Sequence, residues 1–384
     1  MAAMEERTPE QKIILENLKK ILKKDLVPLV VEIDEKGIFP VEVFSKLGSL
    51  GFLGAFFPSQ YSGGDTDLVT YGLIIEEICK VDAGFGMSCF ASSVLFGRNV
   101  LQQGNEEQKK EYIPPIVKGE KIGCWALTEP QAGSDALSIQ TTFEKDGDTY
   151  ILNGSKTFIT NAPLADYFIV LTRKKGTTGV KGGTAFILER GMGGLSTGKP
   201  FNKMGMRTSP TGEIFLENVR VPKSQRLGEE DQGFYGMFRS LDVERSLGIC
   251  QALGVAQACL EASVAYAKER VQFGRPIASF QLIQEKLAEM AVGIELSRTY
   301  CYHIINLAEQ GININKEAAI LSFFVSSVTT KCALEAVQIH GGYGYMKEYR
   351  VEKYLRDAKL FEIGGGTNEI RKLIIARQLL EKGP

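Results

Sequence analysis

Trp125-Ala126-Leu127-Thr128-Glu129-Pro130-Gln131-Ala132-Gly133-Ser134-Asp135 marks the point where the chain changes its period. Upstream, Ile13, Ile14, Leu18, Ile21 and Leu22 recur at spacings of three and four, and segments starting at Pro40, Asp67, Gly86 and Glu106 do the same. That is the pattern of helices with one apolar face. From Lys121 to about Gly228 it gives way to short runs rich in Thr, Ile, Phe, Tyr and Val, punctuated by Asp146-Gly147, Asn153-Gly154 and Gly182-Gly183. Those dipeptides predict hairpins of an antiparallel β domain. The quoted stretch leaves the first strand and enters a loop of Pro, Gly, Ser and Asp. Backbone amides and two hydroxyls are exposed there together, a set able to grip a polar ring edge and a phosphate.

Beyond Asp231 long helical periodicity returns, broken at Gly274-Arg275-Pro276, Gly311-Ile312-Asn313 and Gly341-Gly342-Tyr343-Gly344. Four helices of bundle length fit, the first three about 23 to 35 residues long. The expected class is α+β in three units: an N-terminal helical domain over 1–120, a middle antiparallel β domain over 121–230 and a C-terminal four-helix bundle over 231–384. The absence of βαβ alternation excludes a Rossmann or TIM design. No GxGxxG follows a strand and no GxxxxGK[ST] occurs, so a nucleotide cofactor has to be held by other means.

Of the 384 residues 44% are apolar, enough for a large core. Lys+Arg 45 against Asp+Glu 46 leaves a net charge of −1, which provides no basic field for nucleic acid. Seven cysteines (Cys79, Cys89, Cys124, Cys250, Cys259, Cys301, Cys332) form no CxxC pair, a usage that suits reduced thiols in a cytoplasmic setting. The N-terminal residues carry Glu5, Glu6 and Glu10 without an apolar core, unlike a secretory signal or an Arg-rich transit peptide. No uninterrupted apolar run reaches ~18 residues, so no membrane insertion is expected. With His303 and His340 alone, a histidine triad or metal site is poorly supplied, and no metal is expected.

Near the C-terminus, Phe361-Glu362-Ile363-Gly364-Gly365-Gly366-Thr367-Asn368-Glu369-Ile370-Arg371 joins a strand-like apolar approach to three glycines and a helix start. Without Cβ atoms the chain can turn through positive φ and let a ligand approach its amides. Thr367 reads as the N-cap of a helix from Asn368 to about Glu381, with Glu369 favourably placed in the first turn. Taken alone, the stretch reads more readily as an ordinary tight loop before a last helix. In Thr157-Phe158-Ile159-Thr160-Asn161, after the expected Asn153-Gly154 turn, an aromatic and a hydroxyl recur at a spacing of two and share one strand face. Phe158 and Thr160 suit a flat ring.

Several motifs occur in one order: Thr128-Glu129-Pro130-x-Ala132-Gly133-Ser134-Asp135, Asn153-Gly154-x-Lys156, Phe158-Ile159-Thr160-Asn161, Arg270-x-Gln272-Phe273-Gly274, Gln338-x-x-Gly341-Gly342-x-Gly344, Arg356-Asp357-Ala358 and Gly366-Thr367-x-Glu369-Ile370. In them the sequence resembles the acyl-CoA dehydrogenase family from near Leu15 to Leu380. The resemblance implies an α-β-α subunit, one FAD per subunit, a homotetramer built as a pair of dimers, acyl-CoA substrates and electron export to an electron-transferring flavoprotein. It implies that Trp125, Leu127, Thr128 and Thr160 meet the isoalloxazine edge, and that Gly133 and Ser134 lie on the FAD, Ser134 touching both its pyrophosphate and the CoA. Phe158 stands beside the flavin where many members have Trp. Arg270, Gln272, Phe273, Gln338, Gly341 and Gly342 would clamp a neighbouring subunit's FAD. Thr367 and Glu369 would close over the cofactor, and Asp242, Arg245 and Gly366 would face the substrate.

The implied reaction needs a carboxylate for the α proton, a hydride acceptor (flavin N5) facing the β carbon, and donors on the thioester carbonyl. Many members place Glu immediately before the Gly-Thr pair, and here that position is Gly365. Leu241-Asp242-Val243-Glu244-Arg245 instead puts a glutamate where the isovaleryl-CoA and long-chain branches keep theirs. Those branches also have a small residue at the position of Gly365. Glu244 is therefore the expected base, the backbone at Gly365 the expected carbonyl donor, and Glu362 a structural carboxylate. Asp82 to Ser93 is expected to line the acyl pocket, and family members acting on glutaryl-CoA carry Arg where Gly86 stands. Small residues at Gly86, Ala91, Ser92, Gly248 and Gly365 favour a neutral short, branched or alicyclic acyl group, isovaleryl-like or cyclohexanecarboxyl-like. The competing readings are a glutaryl-CoA-type dehydrogenase, a non-catalytic member that retains the fold, and an oxygen-using oxidase.

Overall fold

The computed structural model describes residues 7–382. Thr8 opens the first helix with a reciprocal cap: its hydroxyl accepts from the Gln11 amide at 3.2 Å while the Gln11 side chain accepts from the Thr8 amide at 3.1 Å. The helical N-terminal part comprises α1 (Pro9–Ile21), α2 (Val30–Lys36), α3 (Val41–Ser49), α4 (Leu68–Val81), α5 (Ala83–Phe90), α6 (Asn99–Gln103) and α7 (Glu106–Val117). Asp82 ends α4 and caps α5, accepting from the Phe85 amide at 2.7 Å. A π-helical stretch, Ala91–Arg98, carries α5 into α6 without a break.

The β domain consists of β1 (Gly123–Ala126), β2 (Thr142–Asp146), β3 (Thr149–Thr160), β4 (Tyr167–Lys174), β5 (Gly183–Glu189), β6 (Leu195–Thr197), β7 (Thr211–Pro222) and β8 (Arg226–Leu227). They form one sheet in the order β6-β7-β3-β2-β4-β5-β8, with β1 beside β4. The pairing is antiparallel except where β1 and β2 meet β4 in parallel. Asp146-Gly147 turns the β2–β3 hairpin, Gly147 at φ +61°. The Asn153-Gly154 turn is not found: both residues lie inside β3, where the ladder to β7 slips between Leu152 and Gly154. Gly154 sits at φ +142°, and a Cβ there would stand 2.7 Å from the Thr141 backbone. It marks a bulge pressed against a neighbouring chain segment.

The C-terminal part contains α8 (Gly233–Glu269), a small hairpin of β9 (Val271–Gln272) and β10 (Arg275–Pro276), α9 (Gln281–Glu309), α10 (Asn315–His340), α11 (Val351–Ala358) and α12 (Asn368–Lys382). α8 is the core helix. A Cβ at Gly254 would stand 2.3 Å from the Glu76 carbonyl oxygen, so α4 and α8 nearly touch backbones. α8 and α10 are long and apolar enough to span a bilayer by composition, yet most of the apolar stretch of α8 is buried inside the protein. Lys353 on α11 pairs with Asp357 at 2.6 Å and Asp82 at 3.1 Å, and Asp357 accepts from the Met206 amide at 2.5 Å. Thr208 donates its hydroxyl to Asp82. One buried cluster thus ties all three parts together.

The approach to the glycine loop is not strand-like. Lys359–Glu362 is a 3-10 turn continuing α11, and the Ile363 and Gly364 amides both donate to the Leu360 carbonyl, at 2.9 and 2.7 Å. Among the described residues no strand partner lies beside this segment, so the backbone satisfies itself locally. Gly365 and Gly366 then take φ +68° and +102°, and the Thr367 hydroxyl accepts from the Ile370 amide at 3.3 Å as the expected cap of α12.

Candidate active site

Glu244 projects from α8 and is 4% exposed. Its Oε1 accepts from Asn99 Nδ2 at 2.5 Å. Burial pushes its carboxyl above the ordinary glutamate value, opposed by the Asn99 amide, the Ser240 hydroxyl and the charges of Arg98 and Arg245. Raised basicity is what a proton-abstracting carboxylate needs near neutral pH. The next residue, Arg245, donates from Nε to the Gly365 carbonyl at 3.1 Å and pairs with Asp242 at 3.5 Å. Asp242 is also held by Asn315 Nδ2 at 3.2 Å. α8 therefore holds the glycine loop through the residue that follows Glu244. The amides of Gly365 and Gly366 donate to no described backbone group, and nothing lies within 4 Å of where a Gly365 Cβ would stand. Gly366 faces the Arg245 guanidinium, 3.4 Å from its Cβ position.

Glu362 is engaged by Lys359 at 2.6 Å. Burial would raise its carboxyl, but Lys359 and other partners outweigh burial and hold it below the ordinary value. The two carboxylates are thus pushed in opposite directions. The small residues of the expected acyl pocket divide. A Cβ at Gly86 would stand 2.1 Å from Cys79 Sγ, so this glycine serves the packing of α5 on α4 and opens no pocket. Ala91 and Ser92 are buried, and the Ser92 hydroxyl accepts from the Gly123 amide at 3.0 Å. Gly248, one turn from Glu244, meets the Phe90 ring at 3.4 Å from its Cβ position.

On the β domain the ends of β1 and β3 are clasped. The Thr157 amide donates to the Thr128 carbonyl at 2.9 Å, and Lys156 Nζ donates to the Leu127 carbonyl at 3.0 Å and to Glu129 at 2.7 Å. Glu129 also accepts from the Gln140 and Thr141 amides at 2.6 and 2.9 Å. Burial lowers the Lys156 pKa, with Glu129 restoring part of it. Around this clasp Trp125, Leu127, Thr128 and Thr160 are half-buried, and the Thr128 and Thr160 hydroxyls bond to no described residue. Phe158, at φ +57°, is 69% exposed, with its ring 5.5 Å from Phe201. Gly133 and Ser134 are exposed, and the Cβ position of Gly133 is open. A bare ring, two unused hydroxyls and an open glycine fit the edge and phosphates of a flavin nucleotide.

A second set lies on other elements. Arg270 follows α8, with its guanidinium 5.5 Å over the Tyr343 ring, and Gln272 and Phe273 sit on the β9–β10 hairpin, Phe273 95% exposed. Gln338, Gly341 (φ +59°) and Gly342 are at the end of α10, and Thr367 and Glu369 open α12. No hydrogen bond or ion pair among the described residues joins this set to the β ledge. His340 is a packed core residue: Nδ1 lies 2.7 Å from the Ala336 carbonyl, the ring stacks on Tyr266 at 4.2 Å, and burial lowers its pKa. Sequence reading missed Asn99 and the Glu129–Lys156 pair. The latter stands inside quoted motifs, but spacing cannot show the pairing; Asn99 lies in no motif.

Three family profiles match the chain: the acyl-CoA dehydrogenase N-terminal domain over 8–120, the middle domain over 124–219 and the C-terminal domain over 231–380. The chain belongs to the acyl-CoA dehydrogenase family. It is 45% identical over 378 residues to the probable acyl-CoA dehydrogenase YngJ of Bacillus subtilis, covering 98% of this chain and 99% of that protein. Mitochondrial isovaleryl-CoA dehydrogenase of Solanum tuberosum is 37% identical over 374 residues, 97% and 91% of the two chains. The structure of butyryl-CoA dehydrogenase from Megasphaera elsdenii matches with a TM-score of 0.96 at 42% identity, over 99% of this chain and 100% of that one. This acyl-CoA dehydrogenase is an FAD-dependent oxidoreductase with the family's helical, β and helical domains.

Proposed function

We propose that the enzyme converts a neutral short, branched or alicyclic acyl-CoA to the α,β-enoyl-CoA with Glu244 as the base. The observation that carries this reading is a buried Glu244 on the helix to which the next residue, Arg245, fastens the bare Gly365 loop. FAD, when bound, supplies the hydride acceptor. Glu244 takes the α proton, and the Gly365 amide, free of partners among the described residues, stabilises charge on the thioester oxygen. Arg245, Asp242 and Gly366 keep that loop in place on the substrate side, with Ser134 at the CoA. Trp125, Leu127, Thr128, Gly133, Ser134, Phe158 and Thr160 hold one subunit's FAD, and Thr367 and Glu369 close over it. Arg270, Gln272, Phe273, Gln338, Gly341 and Gly342 reach a neighbour's FAD.

A homotetramer is supported by exposed Val292, Leu296, Phe324 and Leu334 on α9 and α10, an apolar area that another copy can cover. The domain division proposed is 1–120, 121–230 and 231–384, the acceptor an electron-transferring flavoprotein and the compartment the cytoplasm. A neutral acyl group is favoured because Cys79 fills the space at Gly86, leaving none for a cation that would meet a terminal carboxylate. Anaerobic stopped-flow bleaching of the flavin by isovaleryl-, isobutyryl-, butyryl-, glutaryl- and cyclohexanecarboxyl-CoA tests the substrate class. The branched or alicyclic thioesters should reduce the flavin fastest; glutaryl-CoA as the fastest would overturn the assignment.

A further inference from the structure

The helical run of α5, Ala91–Arg98 and α6 lies antiparallel along the first half of α8. Phe90 faces Gly248, Asn99 faces Glu244, and Gln103 faces Gly236, its Oε1 2.0 Å from where a Gly236 Cβ would stand. Gly236 thus leaves room for the Gln103 amide. Asn99 uses its whole amide in this frame. Nδ2 donates to the Leu95 carbonyl at 2.9 Å and to Glu244 Oε1 at 2.5 Å, and Oδ1 accepts from Gln103 Nε2 at 2.7 Å. A flipped amide would set its oxygen against a carbonyl and a carboxylate and its NH2 against another NH2. The three contacts therefore lock a donor onto one oxygen of Glu244. The wider π-helical turns just before Asn99 alter which residues face α8, a device that recurs at functional sites.

We propose that Asn99, locked by Gln103, is the positioning residue of the base, anchoring Glu244 Oε1 so that Oε2 receives the substrate proton. The proposal rests on Glu244 being the base. In the step, the α C–H bond breaks, its proton forms an O–H bond on Oε2, and the electron pair stays on the substrate carbon. Asn99 can donate to Oε1 before and after, since the carbonyl oxygen of the neutral acid still accepts. The other groups facing Glu244 are Arg98 on the π-helical stretch and Ser240 and Arg245 on α8. Arg98 is itself buried and bonds only to Gln102, at 3.2 Å, among the described residues.

The test uses the FAD-loaded enzyme and needs no substrate for its first arm. The protonated-carboxyl infrared band removed by Glu244→Gln is titrated in wild type, Asn99→Leu and Gln103→Ala. Losing a donor to the charged form raises a carboxyl pKa, so Asn99→Leu should move the midpoint up by about one pH unit, and Gln103→Ala should move it the same way by less. The acid limb of isovaleryl-CoA bleaching should move with it. If Asn99→Leu does not retain FAD, Gln103→Ala alone decides. Unchanged midpoints with an inactive Glu244→Gln enzyme overturn the positioning role and leave the base assignment intact. A Glu244→Gln enzyme as fast as wild type overturns both.

Discussion

At Gly86 the absent side chain is replaced by Cys79 Sγ, 2.1 Å from the Cβ position, whereas at Gly365 nothing lies within 4 Å and φ is +68°. The two glycines should fail differently. Gly86→Ala overpacks a helix contact and should cost about 1–3 kcal/mol, while Gly365→Ala meets no atom and should cost about 1–2 kcal/mol from its backbone alone. Urea unfolding of each variant measures this, with flavin reduction impaired chiefly in Gly365→Ala. Sequence shows that both positions are small; only packing separates a residue that opens space from one that fills it. Glu244 is proposed as the base because a glutamate upstream matches the loss at Gly365. Its titration follows from burial: for the proposed base the ionised form is the working form, and its pKa is raised, so the bleaching rate should fall with decreasing pH at values above the ordinary glutamate range. A limb at or below that range would contradict a buried base.

The clasp between β1 and β3 shows how far motifs carry at the level of elements. Glu129 and Lys156 stand in motifs that mark the family, yet nothing in their spacing says that they meet at 2.7 Å beneath the ledge. The same strand was misread at Asn153-Gly154, because a dipeptide typical of tight hairpins also suits a bulge in a long strand. The approach to the glycine loop was misread because a short apolar run does not distinguish a strand from a helical turn. With both carbonyl and carboxylate contacts on Lys156 removed, Glu129 is left as an unpaired buried charge. Lys156→Met should therefore loosen the loop from Leu127 to Ser134 and weaken FAD binding by about tenfold to a hundredfold. Titrating apoprotein with FAD by flavin fluorescence checks this; unchanged affinity would show that the clasp does not shape the ledge.

Across the whole molecule, the order of helical, β and helical parts was legible because periods of 3.6 and 2 differ over long stretches. What joins the parts was not. Lys353 and Asp357 share α11, but Asp82 lies far from them in sequence, and Met206 and Thr208 complete the cluster from the β domain. Lys353→Met should cost about 3–5 kcal/mol, read in a urea titration as lost stability of the joined parts. The proposed active site depends on the same assembly, since Asn99 comes from the N-terminal helices, Glu244 from α8 and the proposed carbonyl donor from the loop before α12. The most direct measurement is the rate of anaerobic flavin reduction by the best acyl-CoA of the panel in Glu244→Gln against wild type, at equal FAD content. A fall of about three orders of magnitude or more is the expected result for removing the essential base; a rate near that of wild type would contradict the assignment of Glu244.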